Sequence, residues 1–249
     1  MRLDQFLVQN KNIESRTKAQ DLIQNKNVSV NGTVVIKPSF VVRDNDRVEI
    51  QNQEILKYVS RAGLKLEGAL RKLSLDLNQK CILDIGQSTG GFTDCCLQFG
   101  ANQIVGFDVG EQQLHHKMKS DSRVIFFEKL NVKNLSTHSL FLDAVPSGGF
   151  DVLVCDVSFI SLKHVIPNVF KFLKLGGDYL FLVKPQFECG PENLDHNGVV
   201  KNKKIYSEIE TKTKELFEFE AGTFIQYFES DVLGKEGNLE FFIYGRKLK

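Results

Sequence analysis

The sequence predicts an α/β protein in two parts: a small α+β unit, then a large unit built on a mostly parallel seven-stranded sheet that ends in an antiparallel hairpin. Three observations carry that expectation. From about residue 60 onward, apolar runs of strand length alternate with segments of helical period, the pattern of a parallel sheet covered on both faces. One of those runs, ILDIGQSTGGFTD (Ile82 to Asp94), breaks into glycines and passes straight into a helical segment. The first fifty residues hold two short amphipathic stretches and then VSV, Asn31-Gly32 and TVVI, the strongest short hairpin signal. At 249 residues the chain exceeds one average domain and is short for two full ones.

Taken in order, LDQFLVQ forms the first helix and RTKAQDLIQ the second, with Ser15 as its N-cap. The hairpin follows, and a further strand over 47–51 closes the unit. Polar residues make 52–59 a linker, so the expected division is 1–51, linker, 60–249. In the large unit a helix is expected over 63–73. Strands are expected over 81–85, 103–107, 124–127, 152–155, 179–183, 223–228 and 239–244. Helices fall over 91–99, 161–173 and 205–219. No helix-length segment separates the last two strands, which predicts the terminal hairpin.

Composition excludes several classes. With 42% hydrophobic and 25% charged residues the chain is neither disordered nor fibrous. Its net charge of +1 means that any nucleic-acid contact comes from a local basic patch. Cys81, Cys95, Cys96, Cys155 and Cys189 include no C-x-x-C pair and no histidine at zinc spacing, so they read as reduced thiols and no metal is assigned. MRLDQFLVQN lacks an apolar signal core, and no stretch approaches the about 20 apolar residues of a spanning helix, which points to the cytoplasm. His115 and His116 read as solvated helix residues.

The glycine loop suggests a cofactor. In an open α/β sheet, ligands lie over the carboxyl ends of the strands, where glycines let an adenosine approach the backbone. A dinucleotide loop reads G-x-G-x-x-G; here Gly86, Gly90 and Gly91 read G-x-x-x-G-G, with Asp84 on the preceding strand. That suits a ligand without a pyrophosphate, and Asp84 can help hold the cationic methionyl end of S-adenosylmethionine. Asp108 ends the next strand, where a carboxylate meets two ribose hydroxyls. A glycine run alone shapes only a tight turn; it is the two carboxylates in step with it that indicate a nucleoside pocket. Ser88 and Thr89 in the loop, Val109 after Asp108 and Asp156 at the end of the fourth strand complete these expected contacts.

Four charged residues could carry chemistry. Asp156 follows the fourth strand in VLVCDVSFIS and Lys184 the fifth in FLVKPQFE, so both project from the carboxyl edge of the sheet. Lys65 opens the helix before the first strand, and Glu240 lies in the last strand. Taken singly, each is an ordinary solvated charge. Together they suit methylation of a ribose 2′-hydroxyl, a poor nucleophile until its proton is drawn off. Lys184 is the expected proton acceptor. Asp156 and Glu240 favour its charged form, whereas burial, a sulfonium and Lys65 act the other way. A charged Lys184 would still orient the oxygen and stabilise its developing charge.

The motifs VSRAGLKL, DIGQSTGGFTDCCLQFGA, FDVGEQQL, CDVSFISL, VKPQFE and NGVVKN, in this order, resemble the TlyA (hemolysin A) family across almost the whole chain. The resemblance implies an S4 RNA-binding domain followed by an FtsJ-type, Rossmann-like class I methyltransferase domain that uses S-adenosyl-L-methionine to 2′-O-methylate cytidine in ribosomal RNA. It places Lys65, Asp156, Lys184 and Glu240 on the catalytic tetrad and Phe159 beside cofactor and substrate. The chain looks like the short form of the family, which acts on large-subunit (23S) rRNA. Departures are Gln87 and Ala62, where many members carry a small residue and a glycine, and Tyr58, where a tryptophan is frequent.

The S4 resemblance makes Arg2, Arg16, Lys18, Lys26 and Lys37 a phosphate-contacting face, with Arg61 at the start of the next domain, although Asp4, Glu14 and Asp21 interrupt it. The partner is then ribosomal RNA or a ribosomal subunit, with a monomer as the default. Rival readings are a non-catalytic ribosome-assembly module that binds RNA, and a membrane-active protein, for which no cationic amphipathic helix is evident. Methylation of a base nitrogen would favour an Asn/Asp-Pro-Pro-aromatic motif, and CDVSF is not one.

Overall fold

The computed structural model describes residues 1–220, 222–234 and 237–248. It divides into two compact units, Met1–Ser60 and Arg61–Lys249.

The first unit has helices α1 (Leu3–Asn10) and α2 (Arg16–Gln24) and strands β1 (Val28–Val30), β2 (Thr33–Val34) and β3 (Val48–Ile50), antiparallel in the order β2-β1-β3. Leu3 and Leu7, one turn apart, bury themselves with Ala19, Leu22, Ile23 and Val28. The Ser15 hydroxyl caps α2 by accepting from the Lys18 amide at 3.1 Å. Asn31 (φ 52°) and Gly32 (φ 79°) both take the left-handed backbone that a two-residue hairpin turn requires. Strand β2 stops at Val34, short of the expected TVVI. The chain beyond it turns to α1 instead, where the carbonyls of Pro38 and Phe40 accept from the Asp4 and Leu3 amides. Residues Gln53–Leu56 of the expected linker form a single 3-10 turn.

The second unit runs α3 (Ala62–Leu73), β4 (Cys81–Ile85), α4 (Gly91–Gln98), β5 (Gln103–Phe107), α5 (His116–Lys119), β6 (Val124–Phe127), α6 (Ser139–Ala144), β7 (Phe150–Cys155), α7 (Ile166–Val169), β8 (Leu173–Val183), α8 (Pro185–Glu188), α9 (Lys204–Phe219), β9 (Gly222–Glu229) and β10 (Phe241–Lys247). The seven strands order as β6-β5-β4-β7-β8-β10-β9; β4 to β8 are parallel, and β10 is antiparallel to both neighbours. The chain steps outward from β4 to β6 and then returns to β7 on the other side of β4. That reversal opens a crevice over the carboxyl ends of β4 and β7. The central strands β4, β5 and β7 are buried on both faces, and β8, α9 and the turn before β8 meet in an aromatic cluster where the Tyr179 and Phe217 rings stack at 4.0 Å.

Two expectations are corrected. No single helix spans 161–173: a 3-10 turn at Leu162–His164, the four-residue α7 and a second 3-10 turn at Phe170–Phe172 occupy it, and β8 begins at Leu173. Pro167 offers no amide hydrogen and sits in the first turn of α7, where none is needed, so a ladder from 161 cannot run through it as one helix. Glu240 lies just before β10 rather than within it, its carbonyl accepting from the Ser230 amide at 2.8 Å. No helix among the described residues is long and apolar enough to cross a membrane.

Candidate active site

A cleft of about 380 Å³ opens over the carboxyl ends of β4, β5 and β7, a size that suits a small-molecule ligand. Of the residues expected to contact a cofactor, Gly86, Ser88, Asp108, Val109, Asp156 and Phe159 line it. Gly86 has φ +81°, and a Cβ there would sit 2.8 Å from the Asp156 carbonyl oxygen and 2.9 Å from Val157 Cγ1. Only glycine brings the two strand ends so close. The Asp108 carboxylate is fixed by two backbone amides, Ser88 N–H at 2.9 Å and Gly110 N–H at 2.7 Å.

Asp84, Thr89, Gly90 and Gly91 are not walls of the cleft. Gly90 has φ +91° and starts α4, packed so closely on Leu114 and Met118 that a Cβ would meet them at 2.9 and 2.8 Å. Asp84 is wholly buried behind the loop. Its Oδ2 accepts from the Thr93 hydroxyl at 2.6 Å, and that hydroxyl accepts from Gln87 Nε2 at 2.8 Å. Asp84 Oδ1 has no hydrogen-bond partner. Gln87, the departure in the loop, therefore turns inward; its amide occupies space that Gly106 on β5 leaves free.

Burial pushes the Asp84 carboxyl up to about 7, with the Asp156 charge adding and the Thr93 hydroxyl opposing. The folded chain then holds a proton between about pH 4 and 7 that the unfolded chain has released, so stability falls as pH rises through that window. The loss is on the order of 4 kcal/mol. Asp84→Asn is expected to remove this part of the pH dependence, read from urea midpoints at pH 5 and pH 8. An unchanged pH dependence in the variant would count against it.

The four charged residues form two ion pairs. Lys184 Nζ lies 2.6 Å from Asp156 Oδ1 and donates to the Ser158 hydroxyl at 2.9 Å. Lys65 Nζ donates to Glu240 Oε2 at 2.6 Å, with side chains only 8% and 2% exposed. Backbone register sets the pairs side by side. Phe241 faces Val183 across β10 and β8, so Glu240 and Lys184 are the next residues at one sheet edge. Cys155 faces Phe181, which brings Asp156 to the same edge. Gly234 leaves room for the Glu240 carboxylate, which a side chain there would displace.

Phe159 is 91% exposed at the mouth of the cleft and has φ +63°, a strained backbone for a non-glycine residue. Its ring lies 5.1 Å from that of Phe187, on α8. Glu188, also on α8, holds the same segment by accepting from the Ser161 hydroxyl at 2.6 Å and the Leu162 amide at 2.9 Å; burial raises its carboxyl above the ordinary range. Sequence reasoning missed Gln113, Asn131 and Ser158 as cleft walls. Asn131 had one detectable signal, since it ends the polar stretch after the third strand of this sheet, the place of a carboxyl-end loop.

In the first unit Asp4 is wholly buried and gathers Arg2 (3.0 Å), Arg16 (2.9 Å) and Gln20 (3.0 Å). Arg2, then burial in the opposite sense, Gln20 and Arg16, set its carboxyl well below the usual range. The two arginine side chains remain 43% and 53% exposed. Lys18 Nζ reaches Glu14 at 3.5 Å and the Tyr58 carbonyl at 3.0 Å. Lys26 and Lys37 are exposed, and Arg61 stands directly before α3 in the second unit.

A profile of the FtsJ-like methyltransferase family matches residues 58–247, and one of the S4 domain matches residues 1–48. The chain is 38% identical to Hemolysin A of Brachyspira hyodysenteriae, over 97% of this chain and 98% of that one. It is 32% identical to the 23S rRNA (cytidine-2′-O)-methyltransferase TlyA of Campylobacter jejuni, over 98% of each. A solved structure described as a hemolysin from Streptococcus thermophilus is 33% identical, with a TM-score of 0.76 over 100% of this chain and 89% of that one. With a reversed seven-stranded sheet, a glycine cradle at its switch point and these relatives, the chain belongs to the TlyA (hemolysin A) family, an S4 domain joined to an FtsJ-like methyltransferase domain.

Proposed function

We propose that this chain methylates the 2′-hydroxyl of a cytidine ribose in ribosomal RNA, in the large-subunit (23S) rRNA, and that it works in the cytoplasm. The observation that carries the reading is the pair of short lysine–carboxylate contacts, Lys184–Asp156 and Lys65–Glu240, at the sheet edge beside the cleft. The relative named as a 23S rRNA (cytidine-2′-O)-methyltransferase supports the choice of substrate.

The cleft fits S-adenosylmethionine. Gly86 keeps its floor open, and Asp108 presents a carboxylate, fixed by the Ser88 and Gly110 amides, held ready for a diol. When bound, S-adenosylmethionine supplies an electrophilic methyl group on a sulfonium. Lys184 orients the attacking 2′-oxygen and takes up its proton. The contacts to Asp156 at 2.6 Å and to the Ser158 hydroxyl at 2.9 Å fix the Lys184 amine in place for this task. Lys65 and Glu240 form the neighbouring pair at the same edge, and the exposed Phe159 ring offers a stacking face for a base.

Methyl transfer from labelled cofactor to naked rRNA and to ribosomal subunits tests the proposal, with mass spectrometry of the nucleosides reading 2′-O-methylcytidine. Binding without transfer would instead indicate an assembly module. For the S4 unit, Arg16→Ala combined with Lys18→Ala is expected to flatten the dependence of log affinity on log salt by about 1.8, at about 0.9 per lost phosphate contact on a duplex. An unchanged slope with folded rRNA would remove these two residues from the RNA-binding face.

A further inference from the structure

The motif NGVVKN has no role in the chemistry above, yet it leads into a run of cations at the start of α9: Lys201, Lys203 and Lys204, three exposed lysines within four residues. Lys201 Nζ donates to the Glu192 backbone carbonyl at 3.3 Å. Among the described residues, no carboxylate pairs with any of the three, in contrast to Lys65, Lys119, Lys184 and Lys214. The nearby acids include Glu192, Asp195 and, one helical turn on from Lys204, Glu208. Asp195 is turned into its own loop, accepting from the amides of Asn197 and Val199 at 2.8 Å each.

That loop is built rather than slack. Leu194 and Val200 face each other in an antiparallel bridge, the Asp195 amide donates to the Val199 carbonyl at 2.8 Å, and Gly198 takes φ +76° at the tip. Its base is tied to the segment that follows Lys184. Asn193 Nδ2 donates to the Cys189 carbonyl at 2.6 Å, at the end of α8, and the Lys201 amide donates to the Asn193 carbonyl at 3.0 Å. Its tip is tied to the segment that precedes Glu240: the buried Asn238 donates through Nδ2 to the Gly198 carbonyl at 3.1 Å. The hairpin over 194–200 is thus tied both to the segment after Lys184 and to the segment before Glu240, and the three lysines follow directly from its base.

The geometry points to a second RNA-contacting surface, in the methyltransferase unit itself: Lys201, Lys203 and Lys204 grip the sugar–phosphate backbone of the strand that carries the target nucleotide. Lysines are mobile point charges suited to phosphates and poor at reading base edges, so this surface positions the strand without selecting sequence. The inference rests on the proposed RNA substrate.

The test uses the full chain with Lys201→Gln, Lys203→Gln and Lys204→Gln together. A fluorescent single-stranded RNA 20-mer is titrated from about 50 to 300 mM KCl, alongside a Lys133→Gln, Lys212→Gln control. The expected result is a log–log slope shallower by about 2 in the triple variant, at about 0.7 per single-strand phosphate contact, with the control less affected. An unchanged slope in the triple variant overturns the inference. So does a loss seen with whole subunits and absent with naked RNA, which would assign the lysines to a protein. Methyl transfer by the unaltered chain is measured in parallel. If it fails while the slope still falls, the catalytic reading is wrong and the phosphate grip stands.

Discussion

Lys184→Ala is expected to slow methyl transfer by about 10²- to 10⁴-fold, the range for loss of a positioned acid–base group, while cofactor affinity stays within about threefold. Lys184 lies outside the walls of the cleft, so its removal leaves the cofactor's contacts in place. What is lost is the ammonium between Asp156 and the Ser158 hydroxyl. Lys184→Arg separates the two tasks assigned to this residue. A guanidinium keeps the charge and can orient an oxygen, but it does not give up its proton. An arginine variant as slow as the alanine variant supports proton transfer; one near the native rate assigns Lys184 to orientation alone. Single-turnover transfer of a labelled methyl group, with calorimetric titration of the cofactor, reads both quantities. A native rate for Lys184→Ala would remove the lysine from the mechanism.

The largest effect on stability is expected at the other ion pair. Lys65 and Glu240 are almost wholly buried and in direct contact, so Glu240→Ala leaves an ammonium stranded away from water. Breaking such a pair costs about 3–5 kcal/mol, whereas replacing both partners with apolar residues of similar size is often neutral. For the second unit this corresponds to a fall in Tm of roughly 6–20 °C. Lys65→Met with Glu240→Leu should therefore be more stable than Glu240→Ala alone, although both lack activity. Urea unfolding of the three proteins checks the order, and a double variant less stable than the single would contradict it.

Much of this was legible in the sequence because the strands are apolar and bounded by turn residues. The limits of β4, β5 and β6 match those expected, and the glycine loop was found by spacing. The segment before β8 was misread because Val165, Ile166, Val169 and Phe170 repeat with helical period, and they are buried; Pro167 denies them one continuous hydrogen-bonded ladder. Helices α5 and α6, of four and six residues, are too short to show a period at all. Asp156 and Lys184 were visible as charges at strand ends, but the pairing of the four charged residues was not. Which lysine meets which carboxylate depends on β10 lying between β8 and β9, and strand order leaves no local trace. Asp84 misled in a similar way: its place before the glycines suggested a direct contact, whereas β4 directs it into the interior.

The inward turn of Gln87 ties the fate of three positions together. Its amide fits only because residue 106 has no side chain, and it is that amide which, through Thr93, steadies the acid behind the loop. In a chain descending from this one, alanine at 106 would push the Gln87 amide off Thr93 and leave Asp84 with the Thr93 hydroxyl alone. Residues 87, 93 and 106 are scattered along the sequence, but drift would move them as a single inherited block.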